Sequence, residues 1–401
     1  MRDLSLKSVF NRILDFTPLP AALLAAFVVA SILLVALNAA PGQAFASMLQ
    51  GAFGTENATA ETLVKAIPIL FVAIGICVAF RGGVINIGGE GQMIAGALAG
   101  VTTALALADA PGLVIIIVSL LAGFLAGALY GGLAGFLKAY FNVNEILSTI
   151  MLNQIAVQMM NYLLNGPLLD PTEAGLNHIP KTARIIRDAQ LPNLSIVLPD
   201  GLAALVGLEN VELFARTRLH FGLLIAVILA FVMYVLLWRT TIGYRIRAVG
   251  QNERASRYAG INVRRQTVLA MLLAGGMAGL AGVVQVLGLQ YRLQTDGSPT
   301  GFTANAGFNG IVAALFGGLN PIGAIPASVF FGGLLVGAQK MQRDLAVPAA
   351  LITAINGLIV VFVVSSQYFM RRRARRRVMA SAPPAETPPA AAPAPALEQK
   401  I

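Results

Sequence analysis

The chain is dominated by a succession of apolar runs, most of them close to the length that a helix needs to cross a lipid bilayer. Ten such runs alternate with short stretches that are rich in glycine, proline or charge. A bilayer core accepts only helices or closed barrels, and apolar runs of this length are typical of helices. Only 11% of the residues are charged, whereas soluble domains carry about 25%. The sequence therefore predicts an all-α polytopic membrane protein with about ten transmembrane helices, some of them broken or reentrant.

The predicted spans form one transmembrane domain, which covers residues 21–370. In order they are Ala21–Ala39, Leu63–Phe80, Met93–Leu107, Gly112–Leu137, Ile146–Leu164, Phe221–Trp238, Val268–Leu289, Gly307–Phe316, Ile322–Val336 and Ala349–Val364. We expect an external loop at Pro41–Glu61. A long extracytoplasmic loop is expected at 165–219, which we name the polar loop. Within it, Leu205–Ala215 has the pattern of an interfacial helix.

Basic residues are concentrated at three places, and this distribution predicts the orientation of the chain. Sixteen of the 28 Lys and Arg residues lie in the first twelve residues, in 239–265 (the basic loop) and in Arg371–Arg377. Loops rich in Lys and Arg stay on the cytoplasmic side of a membrane. Counting ten spans from a cytoplasmic N-terminal segment, residues 1–20, puts all three regions and both termini in the cytoplasm. Residues 371–401 combine the basic cluster with an Ala/Pro-rich tail that we expect to be disordered.

The net charge of +10 therefore reflects membrane topology and does not indicate nucleic-acid binding. The basic loop itself carries seven arginines against one acid, and it contains a short predicted helix. Asn252 suits the N-cap position, and Gly260 suits a left-handed stop. One face carries Ala255, Tyr258 and Ala259. The loop is either a basic anchor that only fixes topology or a docking helix for a cytoplasmic partner.

A glycine-rich stretch, Arg81–Gln92, interrupts the apolar region between the second and third spans, and we name it the polar break. It contains Asn86, Glu90 and Gln92. Non-helical backbone at membrane depth persists only where protein or a water-filled cavity surrounds it, and transporters often bind solutes at such breaks. The alternatives are a tight cytoplasmic turn, or a gating or packing role.

Two further stretches carry polar side chains at helical spacing. Glu145, Thr149 and Asn153 follow one another at steps of four, as a stripe that suits either a neutral polar solute or hydrogen bonds between helices. Asn305 and Asn309 stand one turn apart at the start of the eighth predicted span, before a Gly- and Pro-rich interruption. That interruption is either part of a pathway or a reentrant turn.

The sequence contains none of the patterns expected of an enzyme. No lysine lies in a Walker A context, and the two histidines and single cysteine are far apart in sequence, which argues against a metal site. We therefore expect no enzyme activity and no cofactor bound by this chain. A stand-alone ion-coupled transporter remains an alternative, because Glu90 is an ionisable group at a span edge.

Four motifs resemble the membrane permease subunits of simple-sugar and nucleoside ABC importers, in the branched-chain amino acid/ribose permease group. They are RGGVINIGGEGQMIAGA, NEILSTIMLNQIA, TTIGYRIRAVGQNERASRYAGI and GFNGIVAALFGGLNPIGA, in this order within about Leu63–Phe362. The first two look most like the nucleoside-type branch. One departure is Asn309, where relatives often carry Asp.

The resemblance implies a set of partners for a chain in a bacterial inner membrane. Cytoplasmic ATPases use the ATP, a second permease subunit, often a different chain, completes the pathway, and an extracytoplasmic binding protein of the basic membrane lipoprotein type delivers the solute. In the family the basic loop holds the coupling helix. The matching residues here are Gly250, Asn252, Ala255, Tyr258, Ala259, Gly260 and Ile261.

We therefore expect a permease subunit of an ABC importer for nucleosides or related simple sugars. Polarity and position predict a set of side chains that line the solute pathway. They are Asn86, Glu90, Gln92, Glu145, Thr149, Asn153 and Asn309.

Overall fold

A computed structural model describes residues 18–36, 39–173, 179–197, 212–214, 216–298 and 301–348, and a few positions between 354 and 365. These residues are mainly helical. The helices are α1 Pro18–Ala36, α2 Pro41–Phe53, α3 Glu56–Arg81, α4 Gly89–Ala106, α5 Gly112–Phe141, α6 Glu145–Leu164, α7 Gly222–Arg239, α8 Thr241–Gln251, α9 Glu253–Tyr258, α10 Val263–Gln285, α11 Ala306–Phe316 and α12 Pro321–Leu345. A π-helical turn, Val286–Gln290, extends α10.

Five of the described helices, α3, α5, α7, α10 and α12, are long and apolar enough to cross a membrane. A sixth span is added if α1 and α2, which meet at a bend of 117°, are counted together. The eighth predicted span is the short helix α11. Most of the tenth predicted span, Ala349–Val364, lies outside the described residues. The described part of the chain is therefore a mainly helical membrane bundle with five or six candidate spans, and the count of ten stays a prediction.

The central helix of the bundle is α3. It packs against α2, α7, α8, α10, α11 and α12, and the most apolar part of it is 78% buried. Side chains such as Phe71 and Ile74 are fully buried on it. A helix that is apolar on all sides belongs in such a position.

Small residues bring α5 and α10 into backbone contact, as their glycine spacing predicts. A Cβ atom on Gly127 would lie 2.4 Å from the Gly275 carbonyl oxygen, and one on Gly275 would lie 2.2 Å from the Gly127 carbonyl oxygen. Gly279 meets the Gly123 carbonyl in the same way, at 2.3 Å. The two glycine faces therefore pack against each other.

The basic loop and the polar loop lie at opposite ends of the bundle. Near the start of α10, the Arg264 guanidinium lies over the ring of Tyr140, 5.5 Å from its centroid. Beyond the other end of α10, the Leu191 amide of the polar loop donates to the Leu287 carbonyl at 2.9 Å. The described parts of the two loops therefore lie at opposite ends of the bundle, and the assignment of one end to the cytoplasm stays a prediction.

The predicted external loop at Pro41–Glu61 is wrong. Most of it is helical, because α2 occupies its first part and α3 begins at Glu56. The Thr62 hydroxyl donates to the Ala52 carbonyl at 2.8 Å and ties the two helices together. The sequence reading overlooked the helical spacing of small and apolar residues on one face of α2. The buried residues of this face are Ala44, Met48, Gly51 and Ala52.

The interfacial helix predicted at Leu205–Ala215 lies mostly outside the described residues. The part that is described includes a two-residue strand, Glu212–Leu213 (β2), which pairs antiparallel with Ile196–Val197 (β1). The helix prediction is therefore wrong for these two residues. Pairing with a distant segment of the polar loop overrides the local helical pattern.

Candidate functional site

The polar break interrupts the bundle between α3 and α4. After α3 ends at Arg81, Gly83 adopts a positive φ of +77°, and the chain runs without regular structure over residues 84–87. Asn153 faces the break from α6, eight residues after that helix begins. At 1.5 Å per residue this is about 12 Å along the helix. The part of the break from Asn86 onward is therefore buried within the bundle, whereas Gly83 and Ile85 are exposed.

Two side-chain amides hydrogen-bond to each other inside the break. Asn86 and Gln92 exchange a pair of hydrogen bonds, each 3.0 Å long. The Asn86 side-chain oxygen, Oδ1, also accepts from the Gly88 amide at 2.9 Å. Both side chains are buried, so their amides supply the partners that water would supply at a surface.

Asn153 fastens the same segment to α6. Its side-chain oxygen accepts from the Gly91 amide at 2.8 Å, and its side-chain nitrogen donates to the Ile87 carbonyl at 3.0 Å. One amide therefore satisfies a backbone donor and a backbone acceptor that the interrupted helix leaves free. Of the predicted stripe, Thr149 is also buried near the break, with its Cβ atom 3.2 Å from a Cβ built on Gly88.

Glu90 connects the break to the short helix α11. One carboxylate oxygen, Oε1, accepts from the Gly307 amide at 2.9 Å and from the Phe308 amide at 3.4 Å. Asn305, at the N-cap position of α11, has a left-handed backbone and makes no capping hydrogen bond with its side chain. Glu90 therefore caps α11 from another helix, where the positive end of the helix dipole favours a carboxylate.

The buried hydroxyl of Thr303 lies beside the Glu90 carboxylate and interacts with it. This corner of the site is polar and lies beside the α11 N-terminus. No group of three or more His, Cys, Asp or Glu side chains within the described ranges could hold a metal ion. Within those ranges, the chemistry of the site is thus hydrogen bonding by amides, hydroxyls and one carboxylate.

Two predicted residues lie apart from this cluster. Glu145 begins α6 and pairs with Lys138 at 3.0 Å, so its carboxylate fastens the turn between α5 and α6. Asn309 is half-buried in the first turns of α11. The structure therefore brings together Asn86, Glu90, Gln92, Thr149 and Asn153 and leaves Glu145 outside. Contact with solute stays a prediction for the whole set.

The short helix of the basic loop, α9, has the caps that its sequence predicts. The Asn252 side chain accepts from the Ala255 amide at 3.0 Å. At the other end Gly260 has a φ of +76°, its amide donates to the Arg257 carbonyl, and the Ile261 amide donates to the Ser256 carbonyl. This pattern is a Schellman motif. A helix of six residues is thus held in shape at both ends by local hydrogen bonds.

The predicted face of α9 is exposed. Tyr258 is 93% exposed, and Ala255 and Ala259 are exposed beside it, whereas Ser256 is buried toward the bundle. Two grooves flank the helix, one of about 360 Å³ that includes Lys138 and one of about 500 Å³ between α8 and α10. An aromatic side chain at such exposure is typical of a surface that a partner covers.

The sequence reading missed two side chains on the outer side of α6. Gln154 and Gln158 are exposed there, one helical turn apart. An exposed amide within an apolar region favours contact with water or with another protein over contact with lipid. The signal was available, because the two residues follow the i, i+4 rule that identified the neighbouring stripe.

A helical bundle with apolar spans, a hydrogen-bonded break in its interior and an exposed capped helix at one end defines a class: this is a multi-pass membrane permease. Comparison with known proteins supports this class and identifies the family. Residues 58–364 match the family described as "Branched-chain amino acid transport system / permease component". The chain belongs to this family of ABC transporter permease subunits, which are not themselves enzymes.

Three relatives illustrate the range of the family. A glucose ABC transporter permease of Haloferax volcanii is 33% identical, over 85% of this chain and 84% of its own length. A guanosine ABC transporter permease of Bacillus subtilis is 34% identical, over 80% and 84%. A nucleoside ABC transporter permease of Lactococcus lactis is 29% identical, over 84% and 87%. No solved structure matches the chain. The relatives support the ABC permease prediction and not the ion-coupled alternative.

Proposed function

We propose that this chain forms part of the translocation pathway of an ABC importer for nucleosides or related simple sugars. The observation that carries the proposal is the match, over most of the chain, to permeases named for guanosine, nucleosides and glucose. The buried amides of the polar break support a neutral polar solute, since an amide hydrogen-bonds to hydroxyl and base groups without requiring charge.

A separate ATPase supplies the hydrolysis in this proposal, and this chain binds no cofactor of its own. The ATPase docks on α9, whose exposed face and firm caps present Tyr258 and two alanines to a partner. A preformed helix loses little conformational entropy on docking, which favours binding. The residues we assign to this coupling segment are Gly250, Asn252, Ala255, Tyr258, Ala259, Gly260 and Ile261. Among them we place Gly250, which lies on α8 against the turn after α3, outside the ATPase contact itself.

The proposed setting is a bacterial inner membrane with ten spans between residues 21 and 370 and both termini in the cytoplasm. The basic loop then faces the ATPase, and the polar loop faces an extracytoplasmic binding protein of the basic membrane lipoprotein type. A second permease subunit, of different sequence, covers the outer side of α6. The amides of Gln154 and Gln158 support this placement, because that side is costly to expose to lipid.

For the solute itself we propose two kinds of contact. Asn86, Glu90, Gln92, Thr149 and Asn153 shape the break and meet the solute when their internal hydrogen bonds open. Asn309 lines the wider part of the pathway. Glu145 acts at the end of the α5–α6 hairpin, where it pairs with Lys138.

The first test is a detergent pull-down of the intact chain beside a variant in which residues 252–260 are scrambled. We expect the intact chain to recover an ATPase and the scrambled chain to lose it, while both elute as folded protein on size exclusion. Equal recovery by both would refute docking on α9. A control with residues 294–298 scrambled, at the opposite end of the bundle, should keep the ATPase.

The solute class is tested by uptake into proteoliposomes that hold the purified complex and receive its binding protein. We expect ATP-dependent uptake of radiolabelled guanosine that unlabelled guanosine competes away and glucose does not. Competition by glucose alone would replace the nucleoside assignment with a sugar. Uptake that follows an imposed ion gradient without ATP would refute the importer.

A further inference from the structure

The docking helix α9 is joined to α8 through a single residue. Asn252 follows α8 directly and caps α9. Its amide donates to the Ala248 carbonyl at 3.1 Å, while its side-chain oxygen accepts from the Ala255 amide at 3.0 Å. Hydrogen bonds on both sides of the joint leave little freedom between the two helices. A displacement of α9 is therefore passed to α8.

The last turn of α8 contacts the polar break directly through backbone atoms. A Cβ atom on Gly250 would lie 2.1 Å from the Arg81 carbonyl oxygen and 2.7 Å from the Gly83 nitrogen. A Cβ atom on Gly83 would lie 2.9 Å from the Gly250 Cα. One turn earlier the fully buried Ile246 meets the Gly82 position at 3.2 Å. Backbone in direct contact transmits a displacement that a flexible side chain would absorb.

The turn at Gly83 leads into the hydrogen-bonded part of the break within three residues. Asn86 is tied there to Gln92. On the other side of the turn, Arg81 donates from its guanidinium to the Gly318 and Leu319 carbonyls, just after α11 ends. A shift of this turn therefore strains the hydrogen bonds of Asn86 on one side and those of Arg81 on the other. The Arg81 bonds lie just after the end of α11, and Glu90 caps the beginning of the same helix.

We infer that the contact of Gly250 with Arg81 and Gly83 is the mechanical link by which movement of the docking helix opens and closes the polar break. The inference rests on the proposed function and adds to it the positioning residues that join the two sites. In this proposal Gly250 affects transport only by positioning the break, and it does not contact the solute. Two glycines are required at this contact because no side chain fits between the two backbones.

The test uses the full complex of this chain with its partner permease and ATPase, with Gly250→Ala as the main variant. Two control variants match it. Gly332→Ala creates a comparable clash, 2.5 Å from the Thr62 carbonyl oxygen, at the α12–α3 contact away from the link. Gly42→Ala adds a methyl group where no atom of the described residues lies within 4 Å.

Three quantities are measured: ATPase recovered with the chain, ATP hydrolysis, and guanosine uptake per ATP hydrolysed. We expect Gly250→Ala to keep the ATPase bound and hydrolysing, and to lower uptake per ATP about 2- to 30-fold. Gly332→Ala should lower the thermal stability without changing this ratio, and Gly42→Ala should change neither. Equal ratios in Gly250→Ala and wild type would overturn the inference, and so would an equal fall in Gly332→Ala.

A second measurement reports the break directly and separates the inference from the solute assignment. Ile85 is 40% exposed within the break and serves as the labelling position. The experiment uses a background in which Cys77, the chain's one cysteine, is replaced by Ala. We expect trapping of the ATPase with vanadate to change the maleimide labelling rate of Ile85→Cys, and Gly250→Ala to abolish that change. A change that persists in Gly250→Ala refutes the link. If guanosine is not taken up but the labelling results hold, the proposed solute fails and the link stands.

Discussion

Replacing Asn153 by Ala should loosen the polar break more than any change at a neighbouring exposed position. The side chain of Asn153 satisfies the Gly91 amide and the Ile87 carbonyl, at 2.8 and 3.0 Å. Leaving a buried polar group without its partner costs about 1–3 kcal/mol. Two groups together set a range of about 2–6 kcal/mol, and we expect about 3 kcal/mol because water entering the space restores part of the loss.

The first assay is SDS-induced unfolding of the purified chain in detergent, compared with wild type. The second is hydrogen exchange at the Gly91 amide, which loses its acceptor in Asn153→Ala. A local opening that is about 3 kcal/mol easier corresponds to roughly 100-fold faster exchange at that amide. Amides in the middle of α5 should exchange at their wild-type rate.

The matched control is Gln154→Ala. Gln154 adjoins Asn153 in sequence and carries an amide, but it lies on the exposed side of α6, so we expect a change within about 0.5 kcal/mol. If the two variants are equally stable, or if Gly91 exchange is unchanged in Asn153→Ala, then the break is not held by this side chain.

Three further predictions test other parts of the structure. Glu90→Gln keeps an oxygen acceptor for the Gly307 amide and should cost less than about 1 kcal/mol in SDS unfolding, whereas Glu90→Ala should cost about 2 kcal/mol; equal losses would contradict the capping role. Gly127→Ala places a methyl carbon 2.4 Å from the Gly275 carbonyl oxygen and should destabilise the α5–α10 contact by about 1–3 kcal/mol, seen as earlier thermal aggregation. Burial lowers the pKa of His220 to about 4, below its ordinary value. As the pH falls from about 6.5 toward 4, the unfolded protein therefore takes up a proton before the folded protein does, and the folded state loses stability. Wild type should lose about 2–3 kcal/mol over this range and His220→Gln clearly less, as measured by unfolding at each pH; parallel losses would refute the assignment.

Features that depend on residues close together in the chain were predictable. Apolar runs identified α5, α6 and α7 within a few residues, because a bilayer favours a continuous hydrogen-bonded helix. Asn252 and Gly260 predicted both ends of α9, since capping joins groups within a single turn. The polar break was located by its glycines and polar residues, which follow one another closely in the chain.

The external loop expected at Pro41–Glu61 shows where this reasoning fails. Gln, Ser and Gly within α2 made the segment look like a loop. Its helical conformation is stabilised by packing against α12 and by the Thr62–Ala52 hydrogen bond. Tertiary contact thus decided a conformation that local propensity left open.

The sequence by itself determined the class of protein, the positions of α5, α6 and α7, the caps of the docking helix and the position of the break. Only the tertiary structure decided that Glu90 caps α11 and that Gly250 meets the turn at Gly83. These contacts join residues far apart in the chain; Glu90 and Gly307 are separated by 217 positions. Lipid is as apolar as the helix surfaces, so burial of apolar area does not select the facing helix. Close approach of glycine backbones and partners for buried polar groups make that selection, and both depend on three-dimensional packing.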